Sequence, residues 1–281
     1  MGALGIIRGQ FRGRRHPLVD LLAMPAPPPA VSHGEHATTD RARAEAVLGE
    51  MYRRGRVPAL EGPKEFDLFP VGLTEGPGRA LAELLRGEGA HATLETGFAF
   101  GLSALWILSA TSGPHTAVDL CQTSDYLGAG VRAVREAQLG HRLTLIERDS
   151  ALALPELVTR GASFDAGFID GNHRFEGVFL DLCFALRLVR PGGLVILDDR
   201  WMPSVRAAAD YAARNLGVPL VTLDDHAAER RFIALRRPAS EPTLAWDGFE
   251  AFGAEGMALP GEVDAGWGAD RPNRPFGSAS T

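Results

Sequence analysis

Lysine is nearly missing from this chain. Lys64 is the only one in 281 residues, and arginine carries the rest of the positive charge. Acids outnumber bases, 35 against 29, for a formal net charge of −6. That balance argues against a broad nucleic-acid surface. Cysteine is scarce as well. Cys121 and Cys183 are the only two, neither lies in a CxxC pair, and no disulfide framework can be read. A reduced, cytoplasmic setting fits. No apolar run reaches the length of a membrane helix, and no internal repeat is present. What remains is ordinary for a globular protein: 45% hydrophobic and 23% charged residues, in a length that suits one large domain with extensions or two small ones.

The first residues resemble a targeting signal only in part. "RGRRHPLVDLLAMPAPPPA" (12–30) sets paired arginines before an apolar stretch. Asp20 interrupts that stretch, and Pro25, Pro27, Pro28 and Pro29 make a stiff linker of it, not an export helix. Residues 1–38 therefore read as a flexible basic arm. Residues 39–90 read as a helical cap, with Asp40 as the N-cap of a first helix, a loop over 60–72 and a second helix over 74–89. Residues 238–281, rich in glycine and proline with scattered aromatics such as Trp246, Phe249 and Phe252, read as an irregular tail.

Between these flanks the texture alternates. Short apolar strands over 92–97, 115–120, 142–149, 164–170 and 193–199 are each followed by a helical segment. Such alternation predicts βαβ units and a parallel sheet covered on both faces. The last two strands, 219–225 and 230–237, are joined by a tight polar connection with no helix between them and should be antiparallel. The expected fold is α/β: a Rossmann-like, doubly wound, mainly parallel seven-stranded sheet closed by an antiparallel C-terminal hairpin, with N-terminal helices. Residues 91–237 make up this domain.

In open α/β sheets, ligands bind beyond the carboxyl ends of the strands. Here the five parallel strands end in Glu95 with Gly97, in Asp119, in Asp149, in Asp170, and in Asp198 with Asp199. Any one acid could be a turn or cap residue. An acid at every end points to a site. The first turn, "ETGFAFGLS" (95–103), brings Gly97 and Gly101 to a helix N-terminus that starts near Ser103. It is not GxGxxG, because Glu95 stands where that pattern has its first glycine. A pyrophosphate beside Glu95 would be repelled, whereas a cationic ligand would not. That favours S-adenosylmethionine over NAD.

At these residues the chain resembles the class I S-adenosylmethionine-dependent methyltransferases. "LETGFAFGLS" is similar to their first motif, "AVDL" (117–120) to their second and "ERDS" (147–150) to their third. The resemblance implies that Asp119 holds the ribose hydroxyls and that Asp149 and Ser150 meet the adenine. It also implies that Glu95, Gly97, Gly101, Ser103 and Asp170 complete the cofactor site. The closing hairpin is similar to the family's seventh strand, inserted beside the fifth. "DGNH" (170–173), "PGG" (191–193) and "DD" (198–199) resemble the metal-dependent small-molecule O-methyltransferases, including the macrolide-sugar and catechol O-methyltransferase-like groups.

Strands four and five should be neighbours, about 4.8 Å apart. Asp170, Asp198 and Asp199 would then converge, and three carboxylates repel unless a cation sits among them. Oxygen ligands favour a hard ion, with Mg²⁺ the default. Asp199 is the ligand whose alternation could point it elsewhere. His173, at the start of the next helix, could take a hydroxyl proton as general base. The expected activity is metal-assisted methyl transfer to a small-molecule hydroxyl on a natural product, sugar or phenol, the ion binding the hydroxyl and lowering its pKa. A metal-independent N-methyltransferase and a non-catalytic S-adenosylmethionine-binding scaffold are the alternatives. No nucleic-acid or membrane partner is expected, and a homo-oligomer is allowed.

Overall fold

In the computed structural model, which describes residues 33–240 and 248–254, the expected alternation builds a seven-stranded sheet in the order β5-β4-β3-β6-β7-β9-β8. Its parallel strands are β3 (Thr93–Thr96), β4 (His115–Val118), β5 (Leu143–Ile146), β6 (Phe164–Ile169) and β7 (Val189–Leu197). The last strand, β9 (Ile233–Arg236), runs antiparallel between β7 and the short β8 (Leu220–Val221). This is the fold expected from the sequence.

The strands are apolar because both faces are covered. One face carries α3 (Leu102–Ala110) and α4 (Ala129–Glu136), and the other carries α5 (Ser150–Thr159), α6 (Phe175–Leu188) and α7 (Pro203–Asn215). Leu194, Val195, Ile196 and Leu197 on central β7 are fully buried. Helix α3, "LSALWILSA", is apolar all round because a second helical layer covers its outer side. That layer is α1 (His33–Arg54) and α2 (Glu75–Gly87). Gly78 of α2 permits the close crossing, since a Cβ there would stand 2.1 Å from Trp106 Nε1. Trp106 Nε1 in turn donates to the Tyr52 hydroxyl at 2.9 Å, which ties α3 to α1.

Three local expectations are corrected. Helix α1 begins at His33, ahead of Asp40, so Asp40 is not its N-cap. The Asp40 carboxylate instead pairs at 3.1 Å with Arg142, a buried side chain that also donates to the carbonyls of Leu108, Thr111 and Gly113. The stretch over 60–72 is not all loop, because β1 (Arg56–Pro58) and β2 (Glu65–Asp67) form a small antiparallel pair. The final strands are not joined by a bare turn. A six-residue helix, α8 (His226–Arg231), separates them, capped by the Asp225 carboxylate on Ala228 N at 2.8 Å.

Trp246 and the arm over 1–32 lie outside the described residues. Phe249 and Phe252 are described; Phe252 docks on α6 and α7, and the exposed Phe249 meets the Phe252 ring edge-on at 6.1 Å. The Phe252 ring stacks on Phe175 at 6.0 Å and meets Tyr211 edge-on at 5.1 Å. Gly253 N donates to Asp210 at 3.0 Å. Among the described residues no helix is long and apolar enough to cross a membrane.

Candidate active site

The strand order reverses between β3 and β6, and a cavity of about 430 Å³ opens there beyond the carboxyl ends. That volume suits a small-molecule cofactor. One wall is the turn after β3. Gly97 has φ +84°, and a Cβ there would meet the Asp170 carbonyl oxygen at 2.1 Å, so only glycine lets the two strand ends lie this close. Asp119 holds the same turn from the side. One of its oxygens accepts from Phe98 N and Ala99 N, both at 2.9 Å, and the other from Cys121 N at 2.7 Å. Asp149 caps α5 by accepting from Ala151 N at 2.9 Å. Gly97, Ser103, Asp119, Asp149 and Ser150 all line the cavity.

Glu95 and Gly101 do not line it. Glu95 is fully buried, and its carboxylate lies 3.1 Å from His115 Nε2 on the neighbouring strand. Strand alternation is the reason, since Thr96 and not Glu95 faces the cavity. Gly101, with φ +74°, serves instead at the entry to α3, where a Cβ would press on Gly130 at 3.0 Å.

At the other end of the cavity lie Asp170, His173, Asp199 and Arg231. His173 Nε2 sits between two carboxylates, 3.2 Å from Asp170 Oδ1 and 3.1 Å from Asp199 Oδ2. Ser204 holds the turn by donating to the His173 carbonyl at 2.6 Å. Asp199 reaches this point because its backbone turns into the left-handed region, φ +56°, which is unusual for a residue other than glycine. Trp201 Nε1 donates to its Oδ1 at 3.0 Å.

Asp198 faces the other way. Its carboxylate, with no exposed surface, takes Arg231 in a two-pronged pair, with Nη2 2.6 Å from Oδ2 and Nε on Oδ1. The same Nη2 lies 3.0 Å from Asp199 Oδ1.

The electrostatics follow from burial and crowding. Burial pushes the Asp170 and Asp198 carboxyls above the ordinary carboxylate range, and mutual repulsion adds to it, while His173 and Arg231 pull back. Burial works against a charged His173. The bond to Asp170 and the charges of Asp170, Asp199 and Asp198 outweigh it, and the imidazole titrates above its usual value.

The expected Mg²⁺ set of Asp170, Asp198 and Asp199 does not fit as a three-oxygen cage, because both Asp198 oxygens are committed to a guanidinium. Donor atoms of Asp170, His173 and Asp199 do lie within 4.8 Å of one another. Arg231 is the site residue that motif reading missed. The register could have found it. Leu197 pairs with Ile233 in the antiparallel β7–β9 ladder, so continuing by two residues sets Arg231 across from Asp199.

A family model described as "Methyltransferase domain" matches residues 94–200. A "Putative O-methyltransferase" of Mycobacterium avium (strain 104) is 30% identical over 190 residues, 64% of this chain and 77% of the relative. Among solved structures, the fold is shared with an O-methyltransferase from Bacillus cereus in complex with SAH. That likeness has a TM-score of 0.54 at 18% identity and covers 69% of this chain and 90% of that one. It is also shared with TomG from Streptomyces achromogenes, an O-methyltransferase involved in tomaymycin synthesis and solved with SAM. There the TM-score is 0.54 at 20% identity, over 69% and 89% of the two chains. The chain belongs to the class I S-adenosylmethionine-dependent O-methyltransferases, and it is an enzyme of that class.

Proposed function

We propose that this enzyme methylates a hydroxyl of a small natural-product, sugar or phenolic acceptor, with His173 as the general base. The observation that carries this reading is the position of His173 Nε2 between Asp170 and Asp199 at the cavity's end. An imidazole nitrogen facing two carboxylates keeps its proton, so Nδ1 carries the lone pair that accepts the hydroxyl proton. Asp170 and Asp199 orient the ring and stabilise the imidazolium that results, as the carboxylate of a catalytic triad does. When bound, S-adenosylmethionine would supply a methyl group on a sulfonium, whose carbon bonds to the acceptor oxygen as its bond to sulfur breaks and a neutral thioether leaves.

The cavity walls fit that cofactor. Gly97 keeps the wall low, Asp119, held by Phe98 N and Ala99 N, would take the ribose hydroxyls, and Asp149 and Ser150, which line the same cavity, would meet the adenine. Acidic groups along the rim suit a cationic ligand. Val71 and Leu120, both exposed at the cavity's edge, suit an acceptor with an apolar body. In the same reading the domain boundaries stay at 91 and 237, and unpaired Cys121 and Cys183 accord with a reduced cytoplasm. Homo-oligomerisation is a question for light scattering.

A second reading keeps a divalent cation at the rim, favoured by the 4.8 Å cluster of Asp170, His173 and Asp199. In that reading His173 would be a ligand and could not also be the base. The experiment is methyl transfer to a panel of phenols, catechols and hydroxylated sugars, by wild type and His173→Ala. Loss of the base should lower turnover by about 10²–10⁴-fold with cofactor affinity unchanged. Full activity of His173→Ala near neutral pH would remove His173 from the mechanism. Turnover that collapses on chelation would favour the second reading.

A further inference from the structure

Arg231 closes α8 and has no part in the cofactor wall, yet its guanidinium occupies the place where the rim's carboxylates crowd together. Its Nη2 bridges both acids that end β7, 2.6 Å from Asp198 Oδ2 and 3.0 Å from Asp199 Oδ1, while Nε holds the other Asp198 oxygen. Its backbone is fixed too. Arg231 O accepts from Arg200 N at 2.9 Å, in the loop that follows β7. The next residue, Phe232, is fully buried and packs edge-on against Phe168 at 5.8 Å. The side chain therefore cannot drift away as a surface arginine would. It is nonetheless 28% exposed and lines the cavity beside His173. Among the described residues no group accepts from Nη1. A planar guanidinium with one nitrogen uncommitted, facing a cavity, is a donor aimed at a ligand oxygen.

We propose that Arg231 is the resident cation of the acceptor site. It bridges Asp198 and Asp199 and offers Nη1 to the acceptor oxygen as that oxygen loses its proton to His173, so no divalent ion is needed there. The proposal rests on the O-methyltransferase reading and assigns it a catalytic residue. Each of the three acids has a basic partner without a metal: the guanidinium lies against the two acids of β7, and the imidazole lies against Asp170 and Asp199. A cation placed among Asp170, His173 and Asp199 would share Asp199 with the guanidinium and feel its repulsion at close range. The ligand chemistry implied is an acceptor hydroxyl that becomes anionic in the transition state, which preorganised N–H donors stabilise.

The test is Mn²⁺ titration followed by electron paramagnetic resonance on the full-length enzyme, run on wild type, Arg231→Ala and Arg231→Lys. Wild type should bind Mn²⁺ weakly, and Arg231→Ala should gain affinity by about tenfold or more as three carboxylates lose their internal cation. Arg231→Lys should stay close to wild type. In parallel, wild-type methyl transfer should be unchanged by chelator. Arg231→Ala should lose turnover by about 10²-fold, as for the loss of one transition-state donor, with cofactor affinity intact. Two results would overturn the proposal: wild type binding Mn²⁺ as tightly as Arg231→Ala, or wild-type activity lost to chelator and restored by Mg²⁺. If Arg231→Ala does not fold, the wild-type titration, the chelator arm and Arg231→Lys still decide. Failure of wild type to bind S-adenosylmethionine or to methylate any acceptor would instead defeat the O-methyltransferase reading, while the Mn²⁺ comparison still reports on Arg231.

Discussion

Alanine at Gly97 tests the geometry of the cavity wall, with alanine at Gly161 as its control. Both glycines have positive φ, +84° and +71°. Both alanines therefore carry the cost of a left-handed backbone, about 1–2 kcal/mol. They differ in their surroundings. Nothing lies within 4 Å of a Cβ on Gly161. A Cβ on Gly97 would meet Asp170 O at 2.1 Å, Asp170 C at 2.5 Å and Gly171 Cα at 2.9 Å. These are backbone atoms, so no rotamer change relieves the clash, and forcing the strand ends apart adds about 1–3 kcal/mol. Gly97→Ala should thus cost about 2–5 kcal/mol in all. At about 2–4 °C per kcal/mol for a domain of this size, its melting temperature should fall well below that of Gly161→Ala. The displaced backbone carries Asp170, whose carboxylate orients His173, so turnover should fall as well. Scanning calorimetry gives the stability and isothermal titration the S-adenosylmethionine affinity. Equal melting temperatures for the two alanines, with wild-type cofactor affinity in Gly97→Ala, would refute the claim that close approach at Gly97 builds this wall.

Arg142→Met should destabilise by about 3–5 kcal/mol in urea denaturation, because it strands the Asp40 charge and the buried carbonyls of Leu108 and Thr111. An effect under about 1 kcal/mol would mean that Arg142 does not fasten the α1 layer. Asp119→Ala should weaken S-adenosylmethionine binding by about 1.5–3 kcal/mol, since it removes the acceptor that organises Phe98 N and Ala99 N. Unchanged affinity by calorimetry would make Asp119 a loop anchor only. The His173 imidazole titrates above its ordinary value of about 6.5, so turnover should rise with pH through a midpoint above that value. A group whose folded pKa is raised contributes stability that is full below its unfolded value and fades as pH climbs through its folded value. The stability gap between wild type and His173→Gln should therefore narrow from pH 6 upward past that midpoint. A gap that widens with pH would mean that the carboxylates do not hold the charged form.

Much of the fold was legible because it rests on period and punctuation. Apolar runs at β3, β6 and β7 alternate with helical stretches, and no arrangement but a covered parallel sheet buries both faces of such strands. The rim was legible for the same reason, since an acid after each strand must fall on one edge. Gly97 and Gly101 could be singled out, although only the structure separates their duties: one lets two strand ends touch, and the other shapes a helix entry. Helix α8 was not legible, because "HAAERR" is too short to stand on its own propensity and holds through the Asp225 cap and the burial of Ala228 and Phe232.

What the sequence determined by itself was the order of the elements, the edge where ligands bind and the identity of the groups at that edge. Which way each group points was decided only by the tertiary structure. Alternation along β3 buries Glu95 against His115, a partner on another strand. A left-handed turn at Asp199 brings it to His173 while Asp198 faces Arg231. The antiparallel course of β9 matters most, because it carries the beginning of the last strand, not its end, to the rim. That reversal sets Arg231 beside acids more than thirty positions earlier in the chain. Local pattern records what a residue can do, whereas contacts between distant segments depend on register, and register forms only when the whole sheet assembles.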